Sequence, residues 1–171
     1  MASPFQAYAI TSVTKALTAL KSILQKAEAH ATEKNIPLDT LFNARIYEDM
    51  KPLSFQIFGA TTDAEKLIYR ASHIQPPARQ QTDKTFDDLY KRIDVALAEI
   101  ANADAALIAA NADKTFKVPL GPHEVEFTPE KYAVSFLLPD VYFHVVTAYD
   151  ILRKEGVPLG KPDYLKSFLE L

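Results

Sequence analysis

The sequence predicts an all-α protein, a four-helix bundle with a small β-hairpin between its third and fourth helices. Three observations carry that expectation. Apolar residues recur at helical spacing in four long stretches. Most of those stretches open on a capping residue or a first-turn proline. Between the third and fourth, "TFKVPLGPHEVEFT" changes to a period of two.

Ser3 and Pro4 read as an N-cap followed by proline at the first helical position, and Phe5, Ile10, Val13, Leu17, Leu20, Ile23 and Leu24 form the first stripe, ending near Asn35. "NIPLD" breaks it, and a short helical piece is expected over Asp39 to Ala44 with Asp39 as its cap. Pro52 suits the first turn of helix two, which should run to about Ser72, with Pro76 and Pro77 beyond its end. A short loop then leads to helix three. Thr82 or Thr85 starts it, because "TFDD" has the form of a capping box, and Phe86, Leu89, Ile93, Leu97 and Ile100 are its stripe.

Phe116, Val118 and Leu120 alternate with other residues, as do Val125 and Phe127, and Gly121–Pro122 supplies the turn of the hairpin. Thr128–Pro129 opens helix four. Pro139 demands a kink or break, and Gly156 is the stop. Leu159, Tyr164, Leu165 and Phe168 in the tail are expected to pack on the bundle.

The chain has 171 residues, 48% of them apolar, which suits one domain over 1–171 with one core. A net charge of −3 excludes the basic field that nucleic acid or an anionic membrane surface requires. Cysteine is absent, so disulfide and thiolate chemistry are excluded; this fits a reducing compartment, and the expectation is a cytoplasmic protein. No run approaches the roughly 18 apolar residues of a membrane span. Nothing resembles a nucleophile elbow, a P-loop, a dinucleotide fingerprint or H-E-x-x-H.

"LFNARIYEDMKPLSFQI", "YFHVVTAYDILRKEGVPLGKPDYL" and "KSILQKAEAHA" resemble the uncharacterised domain family DUF1993, within the DinB/YfiT-like superfamily of metal-dependent bundle proteins. The resemblance covers nearly the whole chain. It implies a DinB/YfiT-like bundle, often dimeric. In metal-binding members of that superfamily, one histidine comes from the second helix and two come as H-x-x-x-H on the fourth. His144 matches the first histidine of that pair, and Ala148 stands at the second position, so the pair reads as broken. Helix two offers no histidine in its body, and Asp63 is the polar residue on its inner face. One imidazole and one carboxylate fall short of the usual three protein ligands, so no metal and no cofactor are expected.

The candidate site therefore centres on His144, whose ordinary pKa lies near neutrality. It is expected to act as a base, with Asp63 and Tyr149 in support, or to be a core histidine bonded to a neighbour such as Asp140, four residues earlier on the same face. Gln56, Gly59, Ala60 and Asp63 share one stripe of helix two; Gly59 costs that helix up to ~1 kcal/mol against alanine, so a spatial reason is expected for it. Gln56, Arg45, Asp49, Tyr142 and Thr147 are the candidate ligand-binding residues. Arg45 and Asp49, four apart, read as a loop-fixing salt bridge or a carboxylate clamp. Tyr142 and Tyr149, seven apart, share a helix face. His30, His73 and His123 are expected to be exposed.

Three readings follow. The first is a small-molecule-binding bundle, in enzyme form a metal-independent acid–base isomerase, lyase or cyclase. The second is a non-catalytic dimeric scaffold with a degenerate metal site. The third is a metal-dependent transferase or hydrolase with an atypical site. A homodimer is expected, from the resemblance and from the apolar load of the first helix and the tail.

Overall fold

The computed structural model describes residues 4–170. The proposed Ser3 cap lies outside the described residues. A π-helical turn, Gln6–Ile10, runs into α1 (Thr11–Lys34), which ends on Asn35 in the left-handed conformation. Then follow α2 (Leu38–Asn43), α3 (Leu53–Ala71), α4 (Phe86–Ala101), α5 (Ala105–Ala110), β1 (Phe116–Leu120), β2 (His123–Phe127), α6 (Pro129–Tyr132), a second π-helical turn (Ala133–Leu137), α7 (Leu138–Lys154) and α8 (Lys161–Leu169). The bundle is made of α1, α3, α4 and α7: α3 packs on α4 and α7, and α1 closes the ring against both. Its centre is apolar. Leu17, Leu20, Ile57, Leu67, Leu89, Ile93, Val145 and Ile151 are all fully buried, and Leu17, Leu20, Leu89 and Ile93 lie on the stripes their helix period predicts.

The capping signals hold at α4 and α6, whereas Pro52 stands at the N-cap position of α3, just ahead of its first turn. Thr85 and Asp88 form a reciprocal capping box at the head of α4, and the Thr128 hydroxyl accepts from the Lys131 N–H beside Pro129. Pro37 rather than Asp39 precedes α2, and Asp39 sits in its first turn, where a carboxylate still favours the helix dipole. The β-hairpin pairs Phe116 with Phe127 and Val118 with Val125 across a turn in which Gly121 has φ +59°. Phe116 and Phe127 both pack on the buried ring of Tyr132.

Helix four changes its hydrogen-bond pattern ahead of Pro139, although the chain stays helical from Pro129 to Lys154. The proline has no N–H to donate, and the π-helical turn immediately before it widens the helix so that α7 starts afresh around it. The link between α3 and α4 is long, not short: it covers residues 72–85. Arg79 ties it to Glu65 on α3 and Glu99 on α4, and Arg92 holds Asp83 and the Gln80 carbonyl.

Two helices have no counterpart in the sequence reading. Asp104 caps α5 by accepting from Ala106 and Leu107, and Asn111 then donates to the Ser72 carbonyl. α8 lies on α1: Lys15 donates to the Phe168 carbonyl, Ser167 to the Lys15 carbonyl, and Lys26 pairs with Asp163. The tail and the first helix thus cover much of each other's apolar surface, which removes the apolar-load argument for a dimer. Among the described residues no helix is long and apolar enough to cross a membrane.

Candidate functional site

One group of polar side chains comes together where α3 meets α7. Gln56, Gly59 and Asp63 follow one another along α3 at spacings of three and four, so they line the edge facing α7. Asp140 and His144 stand one turn apart on α7. The imidazole of His144 lies flat on the α3 backbone at Gly59. A Cβ there would sit 2.5 Å from Nε2, 2.6 Å from Cε1 and 2.7 Å from Cδ2, so no other residue leaves the ring in place. This is the spatial reason expected for the glycine.

The hydrogen bonds fix the ring's tautomer. The side-chain amide of Gln56 donates through Nε2 to the Lys51 carbonyl, so its Oε1 is turned to the imidazole, 2.8 Å from Nδ1. A carbonyl oxygen only accepts, so Nδ1 carries the proton. Burial pushes the His144 pKa below its ordinary value, against the pull of Asp63, and the ring is neutral at pH 7. Nε2 is then a bare lone pair. It faces Asp63 Oδ2 and Asp140 Oδ1, each 3.9 Å away. Asp63 also accepts from the Lys66 ammonium at 2.8 Å. Burial, and then the charge and hydrogen bond of Asp63, push the Asp140 carboxyl up to about 6.

Asp63, Asp140 and His144 each present one ligand atom, all within 4.8 Å of one another. The helix-four pair is therefore not His144 with Ala148. It runs backwards, as Asp140-x-x-x-His144, and Ala148 is fully buried in the core. Asp63 on α3 completes a set of three.

The remaining candidates divide. Gln56 is buried and orients the histidine as described. Thr147 is buried one turn beyond His144. Tyr142 packs on Phe168 of α8, and Tyr149, seven residues on, shares that face; at 100° per residue this is the side of α7 opposite His144, so a supporting role for either tyrosine is corrected. Arg45 and Asp49 are exposed on the α2–α3 loop and form no ion pair with each other. The Arg45 guanidinium donates to the Glu48 carbonyl, because the loop lacks the helical geometry that brings residues four apart together. His73 and His123 are exposed as expected, whereas His30 is half-buried on α1. Lys66 and Phe143 belong to the site and were missed. Lys66, three residues beyond Asp63, could have been found by helical spacing.

The family model described as a domain of unknown function, DUF1993, matches residues 5–165. The chain belongs to the DUF1993 family. No curated protein matches it. The crystal structure of a DinB family member protein from Shewanella denitrificans is 30% identical, covers 92% of this chain and 89% of its own, and superposes with a TM-score of 0.81. The DUF1993 chain thus has the DinB-like fold.

Proposed function

We propose that this DUF1993 domain binds a divalent metal ion through Asp63 Oδ2, Asp140 Oδ1 and His144 Nε2, and that the ion serves a small-molecule ligand. The observation that supports this most is the tautomer. With Nδ1 committed to Gln56, an imidazole lone pair and two carboxylate oxygens converge within 4.8 Å, and with both carboxyls ionised and the ring neutral none of the three is a donor. One cation satisfies all three. Two oxygens and one nitrogen suit Mn²⁺, Fe²⁺ or Zn²⁺, and three protein ligands leave positions open for water or ligand. The bound ion would supply Lewis acidity, as a metal-dependent transferase or hydrolase requires. Gln56 sets the ring's tautomer and orientation, Gly59 gives it room, and Lys66 holds Asp63 through Oδ1, which leaves Oδ2 turned to the ion.

The metal-free acid–base reading keeps one supporting observation: a neutral His144 beside a carboxyl near pKa 6 is a workable base and acid. Calorimetric titration of metal-free protein with Zn²⁺ and Mn²⁺ separates the two. Stoichiometric binding, tighter for Zn²⁺, is expected, with a loss of at least a hundredfold in His144→Ala and Asp63→Asn. Absence of binding to the wild type would leave the acid–base reading standing alone.

The pH dependence has a definite sign. Asp140 must ionise to ligate, so metal affinity should fall as pH drops through about 6. In metal-free protein the folded state holds this proton more tightly than the unfolded chain, whose carboxyl ionises near 3.8. Stability from Asp140 is therefore largest below 3.8 and is lost as pH rises to about 6. Thermal melts of wild type and Asp140→Asn should diverge across that window, and saturating metal should remove the difference in slope.

The homodimer remains a proposal that rests on the family resemblance and on exposed Val134 and Leu169. Sedimentation at micromolar concentration should exceed the 19.1 kDa of one chain; a monomer mass removes the proposal.

A further inference from the structure

We propose that the open side of the Asp63–Asp140–His144 cluster takes a small monoanion with an apolar body, a carboxylate carried on an aryl or alkyl chain. The inference rests on the divalent-metal reading above and deepens it.

Access comes from one direction. The side chains of Asp63 and His144 are 9% and 13% exposed, whereas those of Asp140 and Lys66 are 34% and 42% exposed. A ligand therefore arrives past Asp140 and Lys66. Phe143 stands on that approach, because it lies three residues after Asp140 on the same helix. Its ring packs edge-on against His144, with centroids 5.6 Å apart, yet the residue remains 57% exposed. On the α3 side, Phe55 meets the same imidazole edge-on at 6.1 Å and leans on Phe58. Aromatic surface thus flanks the histidine on both helices.

The charge balance selects the other end of the ligand. The two carboxylates neutralise a divalent ion, and His144 is neutral. Lys66, 2.8 Å from Asp63, leaves a net charge of +1. Asp63 and Lys66 are the charges that act on His144, and they also act on Asp140. Lys51, over the Phe55 ring at 5.6 Å, adds positive charge at the periphery. A single carboxylate placed between the ion and Lys66 closes the charge balance, and its carbon chain then lies on Phe143. An ammonium at the same place meets repulsion, and a short polar anion gains nothing from the rings.

The test uses protein saturated with Co²⁺, whose visible absorption reports ligands at the ion independently of any turnover. The probes are 3-phenylpropionate, acetate and 3-phenylpropylamine. The expected order places 3-phenylpropionate at least tenfold tighter than acetate, with the amine not binding in the same range. Phe143→Ala should weaken 3-phenylpropionate roughly five- to tenfold and leave acetate unchanged. Lys66→Met should weaken both carboxylates. Equal affinity for the two acids, preference for the amine, or an unaltered Phe143→Ala would overturn the proposal. So would a Phe143→Ala chain that changes only its sedimentation mass, since Phe143 would then belong to a contact between copies. If Co²⁺ fails to bind at all, the metal reading falls and this proposal with it; if Co²⁺ binds and the selectivity is absent, this proposal alone falls.

Discussion

Gly59→Ala should abolish tight metal binding, and its effect on stability should change sign with the residue at 144. In the wild-type background the new Cβ would lie 2.5–2.7 Å from three atoms of an imidazole pinned by Gln56. The ring must lift or α3 and α7 must part. Overpacking of this kind costs about 1–3 kcal/mol, more than the up to ~1 kcal/mol that alanine returns to the helix. Displacing Nε2 from the two carboxylates should weaken Zn²⁺ by about a hundredfold. In a His144→Ala background the obstruction is gone, and Gly59→Ala should stabilise the protein by up to ~1 kcal/mol. Denaturant unfolding of the four proteins of this cycle measures both signs. A stabilising Gly59→Ala in the presence of His144 would show that the ring is not held where the structure places it.

Arg79→Met should be the most damaging single change to stability outside the core. Glu65 is buried, with its side chain 6% exposed, and burial raises its pKa despite the guanidinium. Arg79 is its counter-charge and also bridges to Glu99, whose Oε2 is buried without a hydrogen-bond partner. Removing the arginine leaves two carboxylates facing each other under the 72–85 link. Breaking a buried pair costs about 3–5 kcal/mol; Arg79 is itself 28% exposed, so about 2–4 kcal/mol is expected here, a fall of roughly 6–12 °C in Tm. The double variant Arg79→Met with Glu65→Gln should recover more than half of that loss. A single-variant loss below about 2 °C would mean that the network is solvated and contributes little.

The legibility of the sequence followed the range of the interaction. Caps and first-turn prolines act within four residues, so Thr85, Thr128 and Gly156 marked the helix ends correctly. The short α5 is not legible because six residues are too few to show a period, and α8 reads only as a tail because its face is completed by α1. The stripe Gln56–Gly59–Asp63 could be read from spacing, since a helix fixes which residues share an edge. The same spacing makes Asp140 a neighbour of His144 on one face, but a spacing of four is the same in both directions, so it does not say which neighbour joins Asp63 beside the ring. The superfamily pattern points towards Ala148, but the rotation of α7 against α3 puts Ala148 in the core and Asp140 at the edge. The tyrosines failed for a related reason. Seven residues apart places Tyr142 and Tyr149 on one face, but it does not say which face.

The wide turn at Ala133–Leu137 bears on how this region can change in length. A π-helical turn holds one more residue than the α-helical turn it replaces. It therefore takes up a single inserted residue without rotating what lies on either side. The hairpin keeps its seat on Tyr132, and the Asp140-x-x-x-His144 motif keeps its bearing toward α3. Relatives that lack a proline at the position of Pro139 are expected to be one residue shorter between Tyr132 and Asp140, with the motif itself intact. An alignment that places its gap after Asp140 instead would turn the α3-facing edge of the helix by about 100° and should be rejected on geometric grounds.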